Sequence, residues 1–483
     1  MPRATTRRRF LTSTGTAAAA AAVAPQVQAA AARNRPNVVV LIVDTLRADH
    51  VYGDRAQTPN MDSLVRAGLR FTRCYPEAMP TVPARNSIFT GRRMFPFTGW
   101  FDRPGLIESP GWAPFHHVEA TFTSALNRAG YFTAYVTDNP FFGFARGYRR
   151  HRRSFDRFIG KGGQLGTVAP LSSVSSKELR HWVHPATVER NTYLRMRQYL
   201  ANGDYWRAET RSWSARVYSA AARLLDDAKT RQPFAMVVDT YEPHEPWTPP
   251  RKYLNRYGDP DYHGPEPAKP RYARVSYLNG YDAPFLLRRM HALYAAELTM
   301  TDHWIGVFLD RLHRLALDRN TVIVLIGDHG FQFGDHGWTG KIAAELHPPL
   351  THVPLVIVHP EGRKAGGAST YFASTHDIGP TVLAMCDVRA PDRMNGVNLA
   401  PLFHGKRPRE RNYAYGGYAN YFYIRSDDWA LMGDNRPGGL RLFDVRRDPA
   451  EVRNVASSHP GTVDALLGQV LTRTGGRLPL YPH

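Results

Sequence analysis

An α/β fold, built on a doubly wound and largely parallel sheet with helices on both faces, is predicted by three observations. Five short apolar runs rich in β-branched residues punctuate the chain, helical patterns lie between them, and four of the five runs end in aspartate. Uninterrupted apolar runs suit strands buried on both faces, and strands alternating with helices suit a parallel sheet with crossover connections. In such sheets the ligand crevice lies beyond the carboxyl ends of the strands.

The first run, Asn37–Asp44 (NVVVLIVD), reads as a central strand, and Asn60–Phe71 after it reads as a helix. Ala120–Ala129 is a second helical pattern, leading into the strand Tyr131–Asp138 (YFTAYVTD). Arg211–Lys229 and Leu287–Leu315 are longer helices flanking Phe234–Asp239 (FAMVVD). Between them, residues 242–272 are rich in proline, glycine and tyrosine and read as a substrate-facing excursion. Thr321–Asp328 (TVIVLIGD) and Pro354–Pro360 (PLVIVHP) complete the strands. A shift in composition at Gly405–Arg411 predicts a boundary, so that 33–405 form the main domain and 406–483 a smaller unit with a terminal helix at Thr462–Thr472. The basic, aromatic run Arg146–Phe158 reads as a solvated surface loop.

The amino terminus has a different character. Thr6-Arg7-Arg8-Arg9-Phe10-Leu11 and the alanine-rich run to Ala32 predict a twin-arginine export signal over 1–32, hence passage through that translocation machinery and an exported protein. The apolar run is too short and alanine-rich for a membrane span, so no transmembrane anchor is expected. The formal charge of +20 falls to +16 without the four arginines of 1–32. Such a balance suits anionic partners, and no nucleic-acid recognition motif accompanies it. Two cysteines, Cys74 and Cys386, can pair outside the cell but do not make a disulfide framework.

Moving a sulfuryl or phosphoryl group needs an activated nucleophile, positive charge around the outer oxygens and a proton for the leaving oxygen. The chain supplies a candidate for each. Asp44 ends the first strand and Asp328-His329 ends the fourth; with the Thr81 hydroxyl they can hold one divalent cation. Carboxylates favour calcium, magnesium or manganese, and the histidine admits manganese or zinc. Arg85, four residues after Thr81, can return toward it and pair with a charged oxygen. Lys341, in Gly337–Lys341, is a second clamp, and His244, in Tyr241–Trp247, can donate the proton.

Thr81-Val82-Pro83-Ala84-Arg85 with Thr90-Gly91 resembles the sulfatase signature, in which a cysteine or serine at the first place is oxidised to formylglycine. Six further blocks resemble the same family in the same order: Asn37–Asp49, Thr58–Asp62, the Pro-His-Glu-Pro-Trp segment, Gly327–Gly337, His376–Thr381 and Leu442–Asn454. The resemblance implies an alkaline-phosphatase-like core with a small C-terminal α/β subdomain. It places Asp44, Thr81, Asp328 and His329 at metal-ligand positions, with calcium as the cation. Arg85, His244 and Lys341 fall at anion-binding or acid positions. The implied activity is hydrolysis of sulfate or phosphate esters of a small molecule or glycan. Three departures stand out. Threonine occupies the modified position, so no formylglycine is expected and Thr81 itself becomes the nucleophile. Asp44-Thr45 replaces a pair of aspartates, and Asp138-Asn139-Pro140 stands where many members have Lys-x-His. Threonine keeps phosphodiester or phosphonate cleavage and phosphoryl transfer in view, as well as a catalytically silent protein that binds anionic glycans. Cys74-Tyr75-Pro76 is no substitute signature, because Ala78 stands where arginine is needed.

Overall fold

The computed structural model describes residues 35–97, 109–165, 169–203 and 208–481, so the expected export signal over 1–32 lies outside the described residues. The central sheet has eight strands: β1 (Asn37–Val43), β2 (Leu69–Phe71), β3 (Phe132–Thr137), β4 (Arg157–Gly160), β5 (Phe234–Thr240), β6 (Thr321–Gly327), β7 (Leu355–Val358) and β8 (Gly367–Ser369). Their spatial order is β8-β2-β7-β6-β1-β5-β3-β4. From β6 to β4 every pairing is parallel. All seven residues of β1 are buried, as its unbroken apolar run requires.

Alternate residues of β1 feed opposite cores. Val39, Leu41 and Val43 pack with the helices α3 (Trp213–Lys229) and α4 (Ala283–Arg314), and α1 (Pro59–Ala67) covers the same face. Val38, Val40 and Ile42 pack with Val82, Ile88 and Phe89 of α2 (Thr81–Thr90) and with the helix Ile378–Met385. The two-residue period of a strand therefore decides which layer each side chain joins.

Two sequence expectations are corrected. The helix predicted over Asn60–Phe71 ends at Ala67, and Leu69–Phe71 is a strand. Gly68 is the cause: a Cβ there would stand 2.6 Å from the Ile357 carbonyl oxygen, so only glycine lets β7 approach this closely. The second correction concerns direction, since β7 runs antiparallel to both β6 and β2. The chain leaves β6 at its carboxyl end and re-enters the sheet from that same end without a crossover, so the next strand must reverse.

A second sheet contains β9 (Ala414–Tyr418), β10 (Tyr421–Arg425), β11 (Trp429–Asp434) and β12 (Arg441–Asp444), with α5 (Pro460–Arg473) packed on it through Val463, Leu466 and Val470. Its fifth member is Ala78–Met79, parallel to β9 and immediately before α2. The small unit is thus not made from the C-terminal segment alone, and it anchors the entry to α2. Cys74 and Cys386 are separate buried thiols. Arg146–Phe158 is not a simple loop: Tyr148, His151 and Phe155 are buried while Arg146, Arg149 and Arg150 face outward. Among the described residues no helix is long and apolar enough to cross a membrane.

Candidate active site

Four neighbouring strands, β6, β1, β5 and β3, carry an aspartate at or beside their carboxyl ends: Asp328, Asp44, Asp239 and Asp138. Side-chain parity sorts them. Asp44, Asp239 and Asp328 continue the face of Ile42, Val237 and Ile326, which is the α2 face. Asp138 continues the face of Val136, on the opposite layer. Three carboxylates therefore converge and the fourth turns away.

α2 starts at Thr81, so its positive end lies at this cluster. One turn on, Arg85 is fully buried among the carboxylates. Its Nε donates to both Asp239 oxygens at 3.1 Å, and Nη2 donates to Asp239 Oδ1 at 2.8 Å. Nη1 donates to Asp328 Oδ2 at 2.5 Å and to the Thr81 carbonyl at 3.3 Å. The Tyr135 hydroxyl completes the set by donating to Asp239 Oδ2 at 2.8 Å. Arg85 thus returns toward Thr81, and its nitrogens face the charged oxygens of the cluster. Asp239, the anchor of this arrangement, was absent from the residue set that the motifs single out, although its position at a strand end is the signal that finds it.

Asp44, Asp328 and His329 are all buried, and one ligand atom from each lies within 4.8 Å of the others. Asp44 Oδ2 is 3.0 Å from Arg85 Nη1 but has no hydrogen-bond partner among the described residues. Burial and the charge of Asp328 push the Asp44 carboxyl well above the usual carboxylate range. Asp328 also suffers burial, but His329 and Arg85 outweigh it and hold its carboxyl below that range. His329 Nδ1 donates to the Gly330 carbonyl at 3.0 Å, which leaves Nε2 as a lone pair. That nitrogen lies 3.3 Å from Thr81 Oγ1 and 3.4 Å from Asp328 Oδ2. Burial pulls the His329 imidazole down to about 4, so it is neutral at pH 7. A backbone-oriented neutral imidazole, an orphaned carboxylate oxygen and a second carboxylate form a donor set suited to one divalent cation. Replacing Asp44 or Asp328 by asparagine is expected to weaken binding of that cation by more than about a hundredfold, measured by calorimetry. Unchanged affinity in both variants would place the cation elsewhere.

Thr81 also lines a cleft of about 650 Å³ with His244, Lys341 and members of the 242–272 excursion. Lys341 Nζ is 2.9 Å from His244 Nε2 and 3.1 Å from Glu245 Oε2. His244 Nδ1 donates to the Glu245 carbonyl at 2.7 Å, so Nε2 accepts from the lysine. Its ring stacks on Tyr241 with centroids 4.1 Å apart. Burial, reinforced by Lys341, pulls His244 down to about 3. Burial therefore favours the neutral imidazole, with its Nε2 facing Lys341 Nζ. Proton NMR of the imidazole should show His244 neutral from pH 8 to 5 and titrating below about 4; a midpoint near its ordinary 6.5 would contradict the assignment. A larger cleft, about 760 Å³, is lined by Arg47, Asp335, Trp338 and Arg441 and holds none of the expected site residues. Two of its cations are neutralised locally, Arg47 by Asp49 and Asp335, and Arg441 by Glu345.

With this geometry in view, comparison with known proteins is decisive. The sulfatase family model matches residues 36–388, and a second model, the C-terminal region of N-sulphoglucosamine sulphohydrolase, matches 334–471. The chain belongs to the sulfatase family. An arylsulfatase of Clostridium perfringens is 25% identical over 458 residues, covering 88% of this chain and 91% of that protein. Among solved structures, one protein in complex with its substrate D-glucosamine-2-N,6-O-disulfate superimposes with a TM-score of 0.67 at 20% identity, covering 91% of this chain and 97% of the other. A phosphonate monoester hydrolase of Agrobacterium radiobacter gives 0.67 at 20% identity, covering 92% and 96%. The architecture is accordingly alkaline-phosphatase-like with a C-terminal subdomain, and this sulfatase is a hydrolase by family.

Proposed function

We propose that this sulfatase-family chain is an exported, metal-dependent hydrolase of sulfate or phosphate esters in which Thr81 attacks directly. The observation that carries the reading is the placement of Thr81 Oγ1, at the start of α2, on the cleft wall and 3.3 Å from the His329 lone pair. Asp44, Asp328, His329 and the Thr81 hydroxyl would hold one divalent cation, calcium by family habit; when bound, it supplies charge that lowers the hydroxyl pKa. Thr81 Oγ1 forms the bond to sulfur or phosphorus as the bond to the leaving oxygen breaks, and its proton passes to water. The Lys341–His244 pair delivers a proton to the departing alcohol. Water then hydrolyses the threonine ester at the same sulfur or phosphorus. Arg85 orients Asp44, Asp239 and Asp328, and through its bond to the Thr81 carbonyl it fixes the first turn of α2.

The test is parallel turnover of nitrophenyl sulfate, nitrophenyl phosphate, bis(nitrophenyl) phosphate and a phosphonate monoester with calcium, magnesium, manganese or zinc. Metal-dependent turnover of at least one ester is expected. Anion binding without turnover of any would favour a silent glycan-binding protein. Transfer of the phosphoryl group to added alcohols would favour a transferase. The phosphonate hydrolase among the structural relatives is the reason to include phosphorus esters.

A further inference from the structure

The outward-facing arginines of Arg146–Phe158 have no part in the mechanism above. The Tyr148 hydroxyl donates to Asn86 Oδ1 of α2 at 2.7 Å, and a Cβ on Gly147 would stand 2.3 Å from Pro114 Cγ. The rings of Phe115 and His151 meet edge to face, with centroids 5.0 Å apart. These contacts pin the arginine-bearing turn against residues 113–115, on the α2 face of the sheet. Two grooves border it. One, of about 540 Å³, is lined by Arg128, Arg150 and Arg153; the other, of about 200 Å³, by Arg92, Arg93 and Arg393. They adjoin along His117–Ala120, whose residues are shared out between them.

Arg128, Arg150, Arg153 and Arg393 are exposed, and Arg92 is half-buried. Among the described residues no carboxylate lies within ion-pair distance of any of them. Arg93 differs, lying over the Tyr415 ring and 3.8 Å from Glu77. The acids that line the band are engaged elsewhere: Glu119 faces His117 Nδ1 at 3.0 Å, and Asp156 Oδ2 accepts from the Thr133 amide at 2.7 Å and from Asn127 at 2.8 Å. Unpaired like charges along a groove repel one another and favour a partner of opposite charge that follows the groove. The band contains no lysine. A guanidinium is weakly hydrated and presents a planar fork of donors, which suits the weakly hydrated oxyanion of a sulfate ester better than a strongly hydrated carboxylate. None of the lining residues is an exposed large apolar side chain fit to stack on a base or enter a membrane. The smaller groove also borders the catalytic cleft: Gly111 and Ala113 line the groove, and Trp112 between them lines the cleft.

We propose that this arginine band is a docking surface for a sulfated polysaccharide, which it holds beside the cleft that cleaves esters. The link to cleavage rests on the functional reading above; the docking does not. Calorimetry of the full chain with dextran sulfate, carboxymethyl dextran of matched charge, duplex DNA and anionic phospholipid vesicles reads docking without turnover. Dextran sulfate should bind most tightly. Arg150→Glu with Arg153→Glu, and separately Arg92→Glu with Arg393→Glu, should each weaken it by at least about tenfold and make its log–log dependence on salt shallower by about one to two. Arg223→Glu with Lys229→Glu makes the same change in net charge on α3, across the sheet. That pair should stay within about twofold of the parent, because charges beyond a Debye length are screened. Thermal unfolding establishes that each variant is folded, and glutamine in place of glutamate carries the same test with a smaller loss if a reversed pair does not fold. The kcat/KM for nitrophenyl sulfate should hold in all of them, since none of these residues lines the cleft. Undiminished docking in the band variants, an equal loss in the α3 pair, or tighter binding of carboxymethyl dextran, DNA or vesicles overturns the proposal. So does an equal fall in kcat/KM for nitrophenyl sulfate, which would mark a disturbed cleft. Docking that follows these expectations on a chain that turns over no ester would overturn the hydrolase reading alone.

Discussion

Thr81→Ala is expected to lower turnover of every ester by about a thousandfold or more while leaving the fold and anion binding intact. Among the described residues the hydroxyl meets one hydrogen-bond partner, His329 Nε2, so its loss removes little structural support. What it removes is the atom that bonds to sulfur or phosphorus. Thr81→Ser keeps that oxygen and loses only a methyl group, so it should stay within about tenfold of the parent. Circular dichroism and unfolding curves establish that both variants are folded, and kcat/KM then separates them. If the alanine variant turned over ester at a comparable rate, water rather than threonine would be the attacking group. If both variants and the parent were inactive yet bound anions, the site would be a recognition pocket.

Arg85→Met is expected to destabilise the chain by about 3–5 kcal/mol in urea unfolding, among the largest effects of any single change. Arg85 is in ion-pair contact with Asp44, Asp239 and Asp328, all fully buried. A thioether of similar length fills the space but leaves the carboxylates facing one another without a counter-charge. The coupled responses of Asp44 and Asp328 show the direction of relief: the one already pushed up by burial and its neighbour takes a proton first. A carboxyl whose folded-state pKa is raised stabilises the fold below its unfolded pKa, and that contribution is lost as pH rises through the folded value. The deficit of the variant should therefore shrink on acidification. It should shrink at neutral pH too when calcium is added, because a divalent cation neutralises Asp44 and Asp328 directly. A loss under about 1 kcal/mol, unchanged by calcium, would mean that the guanidinium does not organise these carboxylates.

Much of this was legible in the sequence because the strands announce themselves twice, through unbroken apolar runs and through the aspartates that end them. Asn37–Asp44, Thr321–Asp328 and Phe234–Asp239 pair side by side in the sheet. What the sequence could not disclose is geometry that depends on parity and on partners. Nothing in Tyr131–Asp138 states that its aspartate faces the other layer; that follows only once β3 is set in register against β5. Arg85 carries the spacing of an anion clamp, yet three carboxylates from three distant segments claim its guanidinium. His244 lines the cleft beside Lys341, but its protonation could not be read from its spacing, because desolvation and Lys341 are tertiary effects. The strand at Leu69–Phe71 escaped because it depends on how Gly68 meets Ile357, and the direction of β7 because it depends on re-entry into the sheet without a crossover after β6.

The most direct test of the central claim is mass spectrometry of the peptide containing Thr81, taken from protein quenched in acid during turnover of a sulfate or phosphate ester with calcium present. The account predicts a sulfuryl or phosphoryl group on the Thr81 oxygen, absent when Asp328→Asn is used or the cation is withheld. Steady turnover with Thr81 unmodified at every quench time, in a chain that binds the cation normally, would contradict it.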